Sequence, residues 1–321
     1  MKVSIVIPIC NEEDSIEPIL NRIFVSVRES DLREVIFIDD GSQDRSLDKI
    51  ISLSLSDQRI KYLSFSRNFG HQAALRAGIS YASGDCIVML DGDLQQPPEL
   101  IPQMIEKWEQ GYQIVTTVRI DNASVPKLKK WTSRLFYLVM SRLSDTNIVP
   151  GSADFRLIDR RIGDLVKSSE EYELFFRGYF NWVGFKRCCL QYESSERCFG
   201  ATKYSYRKMI AFATTGITSF SVKPLHLSAL LGAVIAGSSA LYGLYAIIMA
   251  LFVGRVVPGW ASVLVSVLFI GGMQMIVLGI LGEYIARMFL QVKSRPAYIV
   301  QTTNLINSAY DTAAERNHQS A

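Results

Sequence analysis

Two stretches without a single Asp, Glu, Lys or Arg constrain this chain more than anything else in it. One lies between Lys223 and Arg255 and contains HLSALLGAVIAGSSALYGLYAIIMALFV; the other lies between Arg255 and Glu283 and contains WASVLVSVLFIGGMQMIVLGILG. A bilayer core takes about 20 apolar residues of helix, so each stretch is long enough to span it with some tilt. A pair of buried core helices in a soluble protein is the alternative, and uninterrupted runs of this length argue against it. Lys203, Arg207, Lys208 and Lys223 precede the first stretch, and Arg287, Lys293 and Arg295 follow the second. The turn between them carries only Arg255. Cationic flanks stay on the cytoplasmic side. The expectation is an integral protein of the cytoplasmic (inner) membrane with two spans, about 227–253 and 260–285, and with both termini in the cytosol.

The rest of the chain has a different character. MKVSIVIPICNEE at the start has a short apolar run followed at once by acids, so it does not read as a signal peptide. The net charge of +3 is too small to imply nucleic acid as a partner. Five cysteines show no CxxC or His-spaced pattern, which points to reduced thiols and away from a disulfide framework or a zinc site. Short apolar runs rich in β-branched residues, VSIVIPI, EVIFI, IKYLSF, CIVML and IVTTV, alternate with helical candidates over 15–27, 46–55, 70–81 and 98–110. That alternation predicts an α/β domain with a mostly parallel sheet and helices on its faces.

Open sheets of this kind bind ligands at the carboxyl ends of their strands. Here those ends would carry Pro8-Ile9-Cys10-Asn11-Glu12, Asp39-Asp40-Gly41-Ser42, Ser66-Arg67-Asn68 and Asp91-Gly92-Asp93. In MLDGDLQQPPEL a buried run ends in two carboxylates with one glycine between them, and Gly92 permits a bend that aims both at a hard cation. Mg²⁺ or Mn²⁺ is commonly held by one or two carboxylates, with substrate phosphates completing its shell. The Gln95 side chain could add another oxygen. Asp-Gly also makes ordinary turns, and FIDDGSQD likewise reads either as a turn and helix cap or as a carboxylate placed to accept a base N–H.

Taken together, SIVIPICNEE, FIDDGSQD, SFSRNFGHQAALRAG, MLDGDLQQPPEL and FGATKYS resemble glycosyltransferase family 2 in order and spacing. With two C-terminal spans and the tail GEYIARMFLQVKSRPAYIV, the chain is similar to the polyprenyl-phosphate glycosyltransferases, nearest to the bactoprenol glucosyltransferases and more distantly to dolichyl-phosphate mannose synthases. The resemblance implies a GT-A type, Rossmann-like nucleotide-sugar domain, a divalent metal, a nucleotide-sugar donor and a polyprenyl phosphate acceptor. It puts Pro8, Glu12 and Asp40 at the nucleotide, with Asp40 facing the base. Asp91, Asp93 and Gln95 would form the metal and diphosphate corner, Arg119 would face the sugar or diphosphate, and Arg197 and Lys203 of ERCFGATKYSYRK would grip phosphates. GSADFRLIDRR matches the acceptor side, with Asp154 as catalytic base or as a group that only orients the acceptor, and Arg156 against the acceptor phosphate. Thr202 stands where the family usually has Ser, and Gly92 where Ala is commoner, a change expected to matter little.

The implied reaction is inverting transfer of a hexose, most simply glucose from UDP-glucose, to undecaprenyl phosphate at the cytosolic membrane face. UDP-GlcNAc, another UDP-sugar or GDP-mannose stays open, because an acid that reads uracil can also read guanine. A processive polysaccharide synthase would bring more spans and a Gln-x-x-Arg-Trp motif; a catalytically silent scaffold would not need Asp40, Asp91, Asp93, Asp154 and Lys203 together. Residues 125–143 read as a basic amphipathic helix suited to an anionic interface, and 204–220 as a second. His71 and His226 lack ligand-spaced partners and read as structural. The expected organisation is a catalytic domain over 1–222, a transmembrane hairpin over 223–290 and a cytosolic tail over 291–321, with self-association into a homo-oligomer left open.

Overall fold

The computed structural model describes residues 2–120, 152–193, 218, 221–253 and 259–305. Two compact units emerge from it, one holding the described residues up to Glu193 and from Ser294 onward, the other holding two long apolar helices.

The first unit is an eight-stranded sheet among the described residues. Its strands are β1 (Val3–Ile9), β2 (Leu32–Asp39), β3 (Ile60–Phe65), β4 (Cys86–Met89), β5 (Ile114–Ile120), β6 (Ser152–Asp159), β7 (Arg187–Glu193) and β8 (Val300–Thr303), in the order β7-β5-β6-β4-β1-β2-β3-β8. β1 pairs in parallel with β2 and β4, as do β2 with β3 and β5 with β7. β6 runs antiparallel to both of its neighbours, and β8 antiparallel to β3. The first five strands and four helices follow the sequence alternation: α1 (Ile16–Ser26), α2 (Ser46–Ser56), α3 (His71–Tyr81) and α4 (Ile101–Glu109), the last entered through a 3-10 turn at Pro98–Leu100. Two more helices, α5 (Arg160–Ser168) and α6 (Phe176–Trp182), follow β6.

Central position in the sheet explains the unbroken apolar strands. All seven residues of β1 are buried, as expected of a strand covered on both faces. Val3, Ile5, Ile7 and Ile9 pack with Ile16, Ile19, Leu20 and Ile23 of α1 and with Ile101 and Met104 of α4. The alternate residues meet α3, where an added Cβ at Gly78 would stand 2.2 Å from Val6 Cγ1 and 2.7 Å from Ile38 Cδ1. Only a glycine lets that helix lie so close to the sheet. Each fully buried aliphatic side chain contributes about 1.5–3 kcal/mol, so this double-sided core fixes β1, β2 and β4 as the rigid frame. Glu34 is buried on β2 and accepts hydrogen bonds from Ser4 Oγ (2.8 Å), Ser83 N (2.7 Å) and Ser83 Oγ (2.8 Å), which satisfies its charge.

The C-terminal tail contributes a strand that the alternation does not announce. β8 closes the β3 edge, the Tyr298 ring stacks on Phe65 at 5.1 Å, and Asn304 brackets the edge by accepting from Tyr62 N (2.8 Å) and donating to the Ile60 carbonyl (3.1 Å).

The second unit contains α7 (Lys223–Val253) and α8 (Trp260–Val292), of 31 and 33 residues. Both are long and apolar enough to cross a membrane, and most of their described side chains are exposed. A helix of this length is roughly 45–50 Å long, more than a hydrocarbon core of about 30 Å. Glu283 and Arg287 pair at 3.3 Å one turn apart near the end of α8.

Candidate active site

Strand direction assembles the site. The carboxyl ends of β1 to β4 share one edge of the sheet, and because β6 runs the other way its first residues arrive at that same edge. Register does the rest. Met89 pairs with Arg156 and Val88 with Leu157, so continuing past β4 sets Asp91 beside Asp154. Two acids distant in sequence are thus delivered to one point.

At that point Asp91 is held by Gln96, whose amide oxygen accepts from the Asp91 backbone N–H at 2.9 Å and whose amide nitrogen donates to the Asp91 carboxylate. Gln96 is buried. Gln95, the residue expected beside the metal, is half-buried and donates its backbone N–H to Asp93 Oδ1 at 3.1 Å. Between them Leu94 has φ +61°, a left-handed conformation rare for a branched residue that costs about 1–3 kcal/mol. The strain lets the chain turn sharply enough to present Asp91, Asp93 and Gln96 within six residues. Burial first, then repulsion from Asp154 and Asp93, push the Asp91 carboxyl up to about 6, against the opposing pull of His71.

Gly92 leaves little space for a side chain. A Cβ there would stand 2.4 Å from Ile9 Cδ1 and 3.2 Å from the Pro8 carbonyl oxygen, so an alanine at this position would force Ile9 to move. Overpacking of this sort costs about 1–3 kcal/mol. Gly92→Ala should lower the denaturant midpoint accordingly, and an unchanged midpoint would show that Ile9 yields freely.

Asp154 is gripped by a bidentate guanidinium: Arg177 on α6 donates from Nε at 2.9 Å and from Nη2 at 3.0 Å. Burial would raise this carboxyl, but Arg177, joined by Arg156 and His71, outweighs it and holds the group well below the usual carboxylate range. Asp154 is therefore a firm anion and a weak proton acceptor. Arg156 is 3% exposed, lies 5.5 Å from the Phe180 ring centroid, and is pushed down to about 10 by burial.

His71, read from sequence as structural, stands between the two acids. Its Nε2 is 3.5 Å from Asp91 Oδ1 and 3.9 Å from Asp154 Oδ2. It opens α3, and the next residue, Gln72, accepts from the Phe176 backbone N–H at 3.2 Å, which docks α6 on the start of α3. The loop before His71 is fixed by Asp40, whose carboxylate accepts from Phe69 N (2.6 Å) and Gly70 N (3.0 Å). Burial raises the Asp40 carboxyl, and these two amides oppose it. The acid expected at the base thus also latches the loop that aims His71. Gly41 (φ +68°) makes the latch feasible, since a Cβ there would stand 2.6 Å from the Arg67 carbonyl carbon.

Of the remaining expected residues, Pro8 is buried at the end of β1, and Glu12 is half-buried with its backbone N–H on Ser46 Oγ at 3.1 Å. Arg119 is exposed at the end of β5, in register with Tyr192 on β7. The Tyr192 phenol is raised by burial first, with Asp91, Asp93 and Asp154 also pushing it up and Arg119 opposing them, so β7 brings a further side chain toward the acids. Arg197 and Lys203, and the amphipathic stretches 125–143 and 204–220 except for residue 218, lie outside the described residues. His71 could have been suspected from its place in SRNFGHQ, and Gln96 from its adjacency to Gln95. Nothing in the spacing of Arg177 or Tyr192 announces them.

A divalent cation fits the Asp91–Asp93 corner by its chemistry. Both side chains offer hard oxygens, and a cation would offset the burial and the like-charge repulsion that raise Asp91. No complete cage of three or more His, Cys, Asp or Glu side chains exists among the described residues. Mg²⁺-type sites built on one or two carboxylates do not need one, because substrate phosphates supply the other ligands.

Known proteins resemble this chain in sequence. Residues 4–165 match Glycosyl transferase family 2. The uncharacterized glycosyltransferase YkcC of Bacillus subtilis strain 168 is 42% identical, with 93% of each chain covered. The prophage bactoprenol glucosyl transferase homolog of Escherichia coli K12 is 41% identical over 94% of this chain and 99% of its own. The bactoprenol glucosyl transferase of Shigella phage SfII is 41% identical over 95% and 99%. Among solved structures, glucosyl-3-phosphoglycerate synthase from Mycobacterium tuberculosis in complex with Mn²⁺ and UDP overlaps with a TM-score of 0.47 at 19% identity, covering 68% of this chain and 77% of that one. By sequence, this chain belongs to glycosyl transferase family 2.

Proposed function

We propose that this protein transfers glucose from UDP-glucose to a polyprenyl phosphate of the bactoprenol type, with inversion at the anomeric carbon, at the cytosolic face of a membrane that α7 and α8 span. The observation that carries the reading is the meeting of the Asp91–Asp93 corner with the Asp154–Arg177 pair at His71, which gives one place for a diphosphate and an adjacent one for a second anion. Relatives near 41% identity along almost their whole length are bactoprenol glucosyl transferases, which supports both donor and acceptor.

In this reading Pro8, Glu12 and Asp40 line the nucleoside end of the donor, while Arg119, Arg197 and Lys203 serve its sugar and phosphates. Asp91 and Asp93, with Gln95 close by, would hold Mg²⁺ or Mn²⁺, which when bound offsets charge on the departing diphosphate. An oxygen of the acceptor phosphate attacks the anomeric carbon while the bond from that carbon to the diphosphate oxygen breaks, its electron pair leaving with UDP. A phosphate monoester has its second pKa near ~6 and is largely a dianion at pH 7, so no proton has to be removed. Asp154, a weak base in its ion pair, then serves orientation. Catalysis rests on placing the two reactants in line.

The test is a transfer assay with detergent-purified protein, undecaprenyl phosphate, Mg²⁺ or Mn²⁺ and a panel of radiolabelled nucleotide sugars. Label from UDP-glucose should enter the organic phase, stop on addition of EDTA, and give a product of inverted anomeric configuration by NMR. Label from another donor would move the sugar assignment; no label from any donor would overturn the reading.

A further inference from the structure

We propose that Arg177 is the group that takes the acceptor phosphate, and that Asp154 holds its guanidinium in place until that phosphate displaces it. This rests on the reading of the chain as a polyprenyl-phosphate glycosyltransferase. Two arginines converge on Asp154, and the structure separates their roles. Arg156 is 3% exposed and covered by Phe180, so it cannot reach a lipid head without unpacking α6. The Arg177 side chain is 25% exposed, twice the 12% of Asp154, and presents its fork at 2.9 and 3.0 Å to both carboxylate oxygens. Carboxylate and phosphate accept the same planar fork, so one can replace the other on the same donors.

Charge favours the exchange. Once a cation at the Asp91–Asp93 corner offsets those two acids, Arg156 and Arg177 bring two positive charges to bear on the single negative charge of Asp154. A phosphate arriving at Arg177 meets that surplus, while the buried Arg156 still lends its positive charge to Asp154. Position favours it too. Gln72 docks the start of α6 beside His71, so a phosphate on Arg177 would lie on the Asp154 side of His71, with the donor corner at Asp91 on the other. The same phosphate chemistry could come from the donor diphosphate, and the experiment separates the two sources.

The full-length protein in detergent is titrated with farnesyl phosphate, with farnesol, and with UDP plus Mn²⁺, as wild type, Arg177→Gln and Asp154→Asn. Wild type should prefer farnesyl phosphate to farnesol. Arg177→Gln should lose most of that preference, tenfold or more, with UDP affinity within about twofold. Asp154→Asn removes the competitor for the guanidinium and should bind farnesyl phosphate severalfold tighter, an outcome that a merely structural ion pair would not give. Should Arg177→Gln fail to fold, the direction of the Asp154→Asn effect decides alone, and weaker or unchanged binding overturns the proposal. Retained preference in Arg177→Gln, or loss of UDP affinity in its place, also overturns it. A wild type that binds farnesol as well as farnesyl phosphate contradicts the acceptor reading itself, and the Arg177 assignment falls with it.

Discussion

Asp93→Asn is expected to lower transfer by a factor of about 10²–10³ and to leave the folded protein as stable as before. The loss corresponds to roughly 3–4 kcal/mol of transition-state stabilisation, the scale of an electrostatic contribution lost with a metal ligand. Stability is spared for a local reason. Asp93 accepts a hydrogen bond from the Gln95 backbone N–H at 3.1 Å, and an asparagine oxygen can accept the same bond. The change therefore removes charge and keeps the turn, and the unfolding free energy should move by less than about 0.5 kcal/mol. Organic-phase transfer of labelled glucose and a thermal melt on the same sample check both halves. Activity within a few-fold of wild type would remove Asp93 from the metal site, whereas a melting point lowered by many degrees would mean that the turn, not the metal, had been broken.

The second large effect concerns stability. Deleting residues 294–321 removes β8 and with it the cover of the β3 edge. The ring stack between Phe65 and Tyr298 goes, worth about 0.5–1.5 kcal/mol. Also lost are the two Asn304 bonds, the bond from Thr303 Oγ1 to the Tyr62 carbonyl (2.7 Å) and the bond from Ser66 N to the Ile299 carbonyl (3.1 Å), each worth about 0.5–1.5 kcal/mol net. After allowance for the freedom the tail regains, a loss of about 2–5 kcal/mol is expected, together with aggregation through the newly bare edge. Chemical denaturation and light scattering of the truncated protein would measure it. Truncation without change in either would show that β8 adds nothing to the sheet.

Much of this was legible in the sequence, and the parts that were not share a cause. Apolar runs such as VSIVIPI declare themselves because a strand buried on both faces has no polar alternation to blur it, and the five runs named from sequence became β1 to β5. The polar ends of β1 to β4 lie along one edge of the sheet, as parallel pairing of those runs requires. What stayed hidden depends on chain direction. β6 is a strand in composition, but nothing in SADFRLID says that it runs antiparallel in the middle of a parallel sheet, and that reversal sets Asp154 beside Asp91. Arg177, and the meeting of His71 with Asp154, were hidden likewise, since each reaches Asp154 across a distance in sequence that only packing closes. β8 is four residues of VQTT, too short and too polar to stand out, and its partner strand lies far away in sequence. Asp40 taught a different point: an acid expected from sequence to meet a ligand also latches a loop.

The return of the chain to the sheet gives the protein an order of manufacture. β3 is complete at Phe65, while its outer neighbour begins at Val300, with both long apolar helices lying between them in the chain. At synthesis rates of about 5–20 residues per second, roughly 10–50 s separate the two strands. During that interval β3 is an open edge on a nascent chain. β8 leaves the ribosome only after both membrane-length helices have done so, and the edge at β3 waits for a strand translated after them.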